Sequence, residues 1–341
     1  MIFTILTIFL IFFYFIIYKF KNQISLRINV VDYPNEKRKI HKFPTPKTGS
    51  YSIAIVIITS IILNYYYEFF DRDINIILAG AFLIFLVGFI DDKYKLSAIA
   101  KVISISLITF LLCMLSENLI VDKFYIYTFD FFFKLEIFSI LFTILCVLSL
   151  VNAVNLADGI NGLALTIVIS WLFYIDQIYQ NDLNLIFNIL YLNLFLILIH
   201  NLKGRHFLGD SGSLMLSSIV AFLIIYLHNK NIDIPRPRNS SENILIIFLI
   251  PVLDMIRLFF QRLSKRKNPG IGDSNHLHHY LIKKLSLNRT LILYMAVMNI
   301  PILISLNTTI NKMIIILCTI LIYFFLIIYY KPQSIKPDYK K

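Results

Sequence analysis

The stretch VNAVNLADGINGLA, residues 151–164, joins two long apolar runs and carries the polar side chains of Asn152, Asn155, Asp158 and Asn161. Amide and carboxylate groups are costly in hydrocarbon unless other polar groups satisfy them. A three-residue spacing would place the four side chains along one face if the segment is helical, and two glycines would let a ligand approach closely. We interpret the stretch as the floor of a polar catalytic site at a membrane surface, with a purely interhelical hydrogen-bonding junction as the alternative.

The composition is typical of an integral membrane protein. Of the 341 residues, 58% are hydrophobic and only 15% are charged, and the mean hydropathy of +0.75 lies outside the range of soluble globular proteins. Apolar runs compatible with spanning helices of roughly 17 to 25 residues cover residues 1–19, 50–67, 74–90, 98–116, 135–153, 159–178, 184–200, 212–228, 243–262, 291–307 and 312–330. We therefore predict an all-α polytopic membrane protein with ten or eleven transmembrane helices, forming one domain over residues 1–341.

The distribution of Lys and Arg predicts the orientation in the membrane. With the N-terminus outside and the C-terminus cytoplasmic, 25 of the 32 Lys and Arg residues fall on the cytoplasmic side, as the positive-inside rule requires. The same rule explains the net charge of +12, because the basic residues are spread over short loops without a domain that would hold nucleic acid. All motif-like loops then lie on the cytoplasmic face, which favours one-sided chemistry over transport through a midplane site.

Two further stretches carry carboxylates that suit a hard metal ion. Asp91 and Asp92 in GFIDDKYKLS repel each other unless a cation or a shared proton relieves the pair, so they are candidates for metal coordination or for a carboxylate base. The alternative is a solvated helix end in which Lys93 and Lys95 are the partners. In GRHFLGDSGS, Asp210 fits an oxygen ligand on a tight turn that leads into a helix, and a helix N-cap is the alternative.

Two stretches near the C-terminus combine acidic, basic and histidine side chains. PVLDMIRLFFQR, residues 251–262, places Asp254 and Arg257 on one helical face, where a neutralising pair would support the bundle. GDSNHLHHYL, residues 272–281, holds His276, His278 and His279. We interpret these histidines as donors to a pyrophosphate, with zinc ligation and a solvated loop as the alternatives.

A basic loop, DYPNEKRKIHKFPTPKTGS, occupies residues 32–50. Its prolines and Gly49 indicate a fixed loop. Basic side chains such as Lys39 and His41 would contact anionic headgroups or a lipid phosphate. Ordinary topological charge is the alternative.

Taken in chain order, five motifs resemble the polyprenyl-phosphate N-acetylhexosamine-1-phosphate transferases, a membrane family within glycosyltransferase family 4. The motifs are DYPNEKRKIHKFPTPKTGS, GFIDDKYKLS, NAVNLADGINGLA, FLGDSGS, and PVLDMIRLFFQR combined with DSNHLHHYL. The likeness runs from about residue 30 to residue 281, and the HLHH form is similar to the undecaprenyl-phosphate N-acetylglucosamine-1-phosphate transferase branch. The resemblance implies a multi-pass enzyme of the bacterial cytoplasmic membrane, dependent on Mg²⁺ or alternatively Mn²⁺. It would transfer N-acetylhexosamine 1-phosphate from a UDP-sugar to undecaprenyl phosphate, starting cell-envelope polysaccharide, O-antigen or teichoic acid assembly. Membrane lipid and a second copy of the chain, in a homodimer, are further candidate partners.

The resemblance also implies roles for individual residues. The implied catalytic residues are Asp91, Asp92, Asp158 and His276; the implied metal ligands are Asp210, Asp91 and Asp92; and the implied substrate-binding residues are Asn155, Asn161, His278, His279, Lys39 and His41. Two positions depart from the family pattern. Ser50 stands where a second glycine is usual, and Asn161 stands where an aspartate is common, which removes one negative charge from the site.

Other functions remain open at this point. A phospho-MurNAc-pentapeptide transferase of peptidoglycan synthesis is the alternative within the family. A transporter of an anionic solute and a non-catalytic lipid-binding scaffold are the alternatives outside it. Within the enzyme interpretation we favour single displacement at phosphorus over a covalent aspartyl-phosphate route.

Overall fold

The computed structural model describes residues 2–34, 43–68, 70–179, 183–233, 237–268, 270 and 273–332. Its helices are α1 Ile2–Ile28, α2 Tyr51–Tyr67, α3 Arg72–Tyr94, α4 Ala98–Leu115, α5 Ser139–Ala157, α6 Leu163–Tyr179, α7 Asn184–Leu202, α8 Gly209–Asn231, α9 Ser241–Ser264, α10 Leu277–Lys284, α11 Leu287–Asn307 and α12 Lys312–Tyr330. Its strands are β1 Val31–Asp32, β2 Thr45–Pro46, β3 Lys123–Ile126 and β4 Phe131–Lys134.

Each predicted apolar run coincides with a helix, and the short α10 is an additional one. Helices are expected there, because a backbone in lipid must satisfy its polar groups internally. Within the described residues, eight helices are long and apolar enough to cross a membrane, while α2, α6 and the apolar part of α7 are shorter. The prediction of a helical multi-pass membrane protein is therefore confirmed. The count of ten or eleven spans and the orientation stay predictions.

Helix α8 is the central element of the bundle. Its apolar window is completely buried, and α3, α5 and α6 pack around it. The close approach of α3 depends on Gly88, since a Cβ at that position would lie 2.5 Å from the Ser211 Cα. This contact sets the beginning of α8, with Asp210, directly against the end of α3, with Asp91.

The junction at residues 151–164 is only partly helical. α5 ends at Ala157 and α6 begins at Leu163, so Asp158 and Asn161 lie in the intervening turn. The four side chains would share one face only if the whole segment were helical, and this condition is not met. Asn152 donates to the Leu148 carbonyl of its own helix, whereas Asn155 donates to groups on α8.

Two small antiparallel sheets depart from the all-α prediction. β1 pairs with β2, while β3 and β4 form a hairpin in which Ile126 lies opposite Phe131. Glu242 at the start of α9 holds the hairpin by accepting the N–H groups of Tyr127 and Thr128. The hairpin lies where α5 begins and α8 ends, at the end of the bundle opposite Asp210.

Candidate active site

Described residues from four of the motif stretches, 32–50, 151–164, 204–213 and 272–281, line one cavity of about 500 Å³. It lies where α3 and α5 end and where α4 and α8 begin, and its volume is in the range of small-molecule sites. Its charged and polar lining includes Asp32, Lys47, Lys101, Asn155, Asp158, Asn161, Asp210, Asp273, His276 and His279. The structure thus brings most of the predicted site residues together at one end of the bundle.

Asp92 caps the beginning of the central helix. Its two carboxylate oxygens accept the backbone N–H groups of Asp210 at 3.0 Å and Ser211 at 2.9 Å. A carboxylate at a helix N-terminus satisfies unpaired donors and complements the helix dipole. Gly209 makes room for it with φ +75°, because a Cβ there would lie 2.6 Å from the carboxylate.

Lys47 and Lys101 neutralise this group of acids. Lys47 Nζ lies 3.1 Å from Asp92 Oδ1, and Lys101 Nζ donates to Asp91 Oδ2 at 2.8 Å while lying 3.5 Å from Asp210 Oδ2. We call Asp91, Asp92, Asp210, Lys47 and Lys101 the acidic cluster. It contains one more carboxylate than lysine.

The two adjacent aspartates are not a solvated helix end, so that alternative is wrong. The side chain of Asp91 is 5% exposed and that of Asp92 is 0% exposed, whereas that of Asp210 is 33% exposed. Asp210 lines the cavity, whereas Asp91 and Asp92 are not among the described residues that line it. Asp210 is thus the carboxylate of the acidic cluster that a ligand meets directly, and Asp92 is placed to position α8.

Charge and burial shift the pKa values of two cavity groups outside the spanning helices. Burial disfavours the charged form of Lys47, but the carboxylates of Asp92 and Asp210 outweigh burial and raise the pKa of Lys47. Burial raises the pKa of Asp158 well above its ordinary value, and the neighbouring acids add to this rise. A cation in the cavity would relieve both the acid repulsion and the burial cost of charge.

Amide groups organise the turn between α5 and α6. Asn155 Nδ2 donates to Asp210 Oδ1 at 3.2 Å and to Ser213 Oγ at 3.0 Å. Asn201 Oδ1 accepts the Gly162 N–H at 2.6 Å and so fixes the end of the turn. The carboxyl group of Asp158 and the amide of Asn161 are thereby held at the cavity wall.

The three histidines are buried, so the solvated-loop alternative is wrong. His276, His278 and His279 are 3%, 1% and 9% exposed. Burial lowers the pKa of His278 well below its ordinary value and lowers that of His279 to about 4, so both rings are neutral near pH 7. His276 and His279 line the cavity, whereas His278 packs beneath it.

The predicted pair of Asp254 and Arg257 is confirmed and extends further than the sequence indicates. Asp254 also accepts from the Tyr323 hydroxyl at 2.6 Å and lies 2.8 Å from His276 Nδ1. We call Asp254, Arg257, His276 and Tyr323 the Asp254 network. Sequence reasoning missed Tyr323, and no local signal marks it, because it lies 69 residues from Asp254.

Asp254, His276 and His278 offer atoms within 4.8 Å of one another, close enough to consider a metal. The Arg257 guanidinium lies on the same carboxylate at 2.9 Å. A cation at this position would be repelled by that charge and would compete with the existing donors. The group is therefore better described as a hydrogen-bonded network than as a zinc site.

Three other sequence predictions have separate outcomes. Ser50 is fully buried, and its hydroxyl lies 3.1 Å from the Ser211 hydroxyl, so this departure from the family pattern adds a contact between α2 and α8. Asn161 stands near Gly204, whose added Cβ would lie 3.3 Å from the amide nitrogen. Lys39 and His41 lie outside the described residues.

The chain is similar in sequence to a known protein family and to several known enzymes. The family model described as glycosyl transferase family 4 matches residues 74–228. A probable undecaprenyl-phosphate N-acetylglucosaminyl 1-phosphate transferase of Bacillus subtilis (strain 168) is 28% identical over an alignment of 272 residues, which covers 76% of this chain and 72% of that protein. An undecaprenyl-phosphate alpha-N-acetylglucosaminyl 1-phosphate transferase of Escherichia coli (strain K12) is 24% identical over an alignment of 274 residues, which covers 77% of this chain and 72% of that protein. A decaprenyl-phosphate N-acetylglucosaminephosphotransferase of Mycolicibacterium smegmatis is 24% identical over an alignment of 294 residues, which covers 76% of this chain and 70% of that protein.

These matches confirm the resemblance to glycosyl transferase family 4 that the sequence motifs indicated. Within this class, the similarity is to the branch of the undecaprenyl-phosphate N-acetylglucosaminyl 1-phosphate transferases.

Proposed function

We propose that the protein transfers N-acetylhexosamine 1-phosphate, with N-acetylglucosamine 1-phosphate as the preferred group, from a UDP-sugar to undecaprenyl phosphate. The observation that carries the proposal is that Asp210 and the two lysines of the acidic cluster, the Asp158 turn and His276 line a single cavity at one end of the bundle. The names of the similar proteins support undecaprenyl phosphate as the acceptor and N-acetylglucosamine 1-phosphate as the transferred group, and the UDP-sugar donor is part of our proposal. In this function the protein starts cell-envelope polysaccharide, O-antigen or teichoic acid assembly.

The reaction is a phosphoryl transfer. An oxygen of the lipid phosphate forms a bond to the β-phosphorus of the UDP-sugar, the bond from that phosphorus to the bridging oxygen breaks, and UMP leaves with the bridging oxygen. The lipid phosphate is largely dianionic near neutral pH, with a second pKa of about 6, so a general base contributes little. Positioning and charge neutralisation are the main tasks of the protein.

The chain has residues suited to each task. Lys47 and Lys101 place positive charges at the cavity and can exchange their carboxylate partners for phosphate oxygens. His276 and His279 reach the cavity from the α10 side and Asp158 from the α5 side. Asn155 and Asn161 present amides that can hydrogen-bond a sugar or a base edge.

The acidic cluster fits a magnesium ion. One oxygen of Asp91 and one of Asp210 lie 2.8 and 3.5 Å from the positive charge of Lys101. Both carboxylates thus face one cation, and carboxylate oxygens are preferred magnesium ligands. We propose that Asp210, with Asp91, holds Mg²⁺, while Asp92 positions α8. A bound ion supplies positive charge that offsets the charge on the diphosphate.

Two alternatives make different demands on the molecule. A transporter requires polar groups that serve both faces or a midplane site, whereas this cavity lies at one end of the bundle. A phospho-MurNAc-pentapeptide transferase uses the same chemistry on a larger donor, and the names of the similar proteins favour N-acetylglucosamine. We place the cavity on the cytoplasmic face of the bacterial cytoplasmic membrane, from the charge bias of the loops.

The test is an assay of the purified full-length protein with undecaprenyl phosphate and a panel of UDP-N-acetylglucosamine, UDP-N-acetylgalactosamine and UDP-MurNAc-pentapeptide. UMP and the lipid product are followed by mass spectrometry, with EDTA, Mg²⁺ or Mn²⁺ added in parallel. We expect UMP only when lipid phosphate and a divalent cation are both present. The proposal would be overturned if none of the donors supported UMP release. It would also be overturned if the donors drove flux in proteoliposomes without UMP release.

The number of displacement steps at phosphorus can be tested with a donor that is chiral at the β-phosphorus. Single displacement predicts inversion at this phosphorus, because the lipid phosphate is already a nucleophile. Net retention would instead support an aspartyl-phosphate intermediate. A homodimer stays a prediction, and cross-linking in native membranes would detect it.

A further inference from the structure

We propose that Asp254, with Arg257 and Tyr323, is a positioning residue that holds the His276 ring so that its Nε2 binds a nucleotide phosphate in the cavity. The inference rests on the proposed function and assigns a task to a network that includes the last helix, α12. His276 would contact the ligand, and the other three side chains would act through it.

The Asp254 carboxylate is fixed on both oxygens. Oδ1 accepts from Arg257 Nη2 at 2.9 Å and from the Tyr323 hydroxyl at 2.6 Å. Oδ2 lies 2.8 Å from His276 Nδ1, and the Leu277 N–H lies 3.2 and 3.3 Å from the two oxygens. Any rotation of the carboxylate would break several of these hydrogen bonds together.

The partners of Asp254 are fixed in turn. Arg257 Nε donates to the Tyr323 hydroxyl at 2.6 Å, so this hydroxyl accepts from the arginine and donates its own proton to Asp254. Arg257 Nη2 also donates to the Asn275 carbonyl at 2.7 Å. Since Asn275 directly precedes His276, the arginine holds the backbone of the histidine while the aspartate holds its ring.

Burial makes the arrangement durable. Asp254 and His276 are each 3% exposed, and Tyr323 is 0% exposed. Water therefore has little access to exchange with these hydrogen bonds, and electrostatic interactions are stronger than they would be at the surface. The ring of His276 has one defined orientation.

This orientation decides which nitrogen is available. An ionised carboxylate is only an acceptor, so Nδ1 of His276 carries a proton and Nε2 is the nitrogen left for a ligand at the cavity wall. A proton on Nε2 allows this nitrogen to donate to a phosphate oxygen of the ligand, while the Asp254 carboxylate accepts from Nδ1. Charge-assisted hydrogen bonds of this kind are the stronger class. The ligand is a nucleoside monophosphate, or the same phosphate within a nucleotide sugar.

A merely structural role for Asp254 makes a different prediction. If it only joins α9, α10 and α12, its loss should weaken the binding of any nucleoside, with or without phosphate. If it acts through His276, its loss should weaken phosphate binding alone and should matter little once His276 is replaced. A double-mutant cycle separates these two cases.

The experiment measures the dissociation constants of UMP and uridine for the detergent-purified full-length protein by calorimetry. The variants are Tyr323→Phe, Asp254→Asn, His276→Gln and the double variant Asp254→Asn with His276→Gln. Thr319→Val is the matched control on α12, since that buried hydroxyl donates to the Ile315 carbonyl of its own helix. Tyr323→Phe retains the ion pair of Asp254 with Arg257, so it carries the test if Asp254→Asn does not fold.

We expect Tyr323→Phe and Asp254→Asn to weaken UMP binding about 5- to 10-fold and to leave uridine binding and the Thr319→Val control unchanged. In the His276→Gln background, Asp254→Asn should add less than about a 2-fold change. Equal UMP affinity in wild type and Tyr323→Phe, or fully additive losses in the double variant, would overturn this inference alone. Absence of UMP binding by the wild type would overturn it together with the proposed function.

Discussion

The acidic cluster and the Asp254 network lie at the same end of the bundle and treat buried carboxylates in opposite ways. In the acidic cluster, three carboxylates share two lysines, and Asp210 is 33% exposed to the cavity. In the Asp254 network, one carboxylate is paired with an arginine and accepts further hydrogen bonds from Tyr323 and His276. The first group is short of positive charge, as a ligand site should be. The second is balanced, as a support should be.

The comparison has a general lesson about acidic residues in membrane helices. A buried charge is costly unless it is paired, so every intramembrane aspartate indicates either a ligand or a partner. Local charge balance separates the two cases better than the presence of the aspartate does. Substitutions that change the charge of the acidic cluster or of the Asp254 network test this distinction.

The largest effect is expected when the balanced group loses its cation. Arg257→Met leaves Asp254 without its arginine in a buried position, and breaking such a pair costs about 3–5 kcal/mol. The measurement is the free energy of unfolding in detergent micelles from a denaturant titration. Lys265→Met, an exposed position at the end of the same helix, is the control and should change little. Equal free energies of unfolding for Arg257→Met and wild type would show that the pair of Asp254 and Arg257 does not stabilise the bundle.

Asp210→Asn should separate activity from stability. It removes the exposed carboxylate of the acidic cluster while retaining a side chain of the same shape, so UMP release should fall about 100- to 1000-fold. The unfolding midpoint should stay within a few degrees of wild type. Asp233→Asn, at the opposite end with an 81% exposed side chain, should retain full activity. A fully active Asp210→Asn enzyme would remove Asp210 from the proposed metal site.

Gly88→Ala tests the contact that sets α8 against α3. The added Cβ would lie 2.5 Å from Ser211 Cα and 2.6 Å from the Asp210 carbonyl oxygen, and overpacking of this kind costs about 1–3 kcal/mol. Activity should fall as well, because Asp210 is displaced.

Gly80→Ala is the control for that variant on the same helix. The three atoms nearest to its Cβ would all belong to the Leu112 side chain. Since a side chain can move aside more easily than backbone, the loss of stability should be smaller. The two variants behaving alike would mean that the backbone approach at Gly88 is unimportant.

Asp92→Asn should weaken the beginning of α8. The amide can accept one of the two N–H groups but not both, and it no longer neutralises Lys47, so we expect a loss of about 1–2 kcal/mol, in the range of other helix caps. The sharpest comparison is with Asp210→Asn, whose defect should lie in turnover and not in unfolding. The reverse pattern in these two variants would exchange the roles of Asp92 and Asp210.

The smallest effect is expected at the end of the bundle opposite the cavity. Lys230 forms an ion pair with Asp71, and the two side chains are 43% and 60% exposed. Exposed pairs contribute about 0–1 kcal/mol, so Lys230→Met should change unfolding by no more than this and should leave UMP release unaffected. A larger loss would show that charge pairs at this end also support the bundle.

Much of the site could be predicted from residue types and their order. The helix positions, the meeting of Asn155, Asp158 and Asp210, and the pair of Asp254 with Arg257 follow from the high cost of polar groups in hydrocarbon and the pattern of apolar runs. The sequence could not show that the Asp92 side chain accepts hydrogen bonds from the beginning of α8 while that of its neighbour Asp91 accepts one from Lys101. Adjacent residues on a helix point about 100° apart, and what they meet depends on the helices packed beside them.

The sequence by itself determined a multi-pass helical membrane protein and the residue types of its polar loops. The free-energy cost of placing a polar group in hydrocarbon depends on the residue itself and not on residues far away in the chain. Only the tertiary structure decided that Asp92 caps α8, that His278 lies beneath the cavity, and that Tyr323 of the last helix reaches Asp254. These outcomes depend on contacts between helices that are far apart in the chain. No local pattern of residues encodes such contacts, since packing selects them.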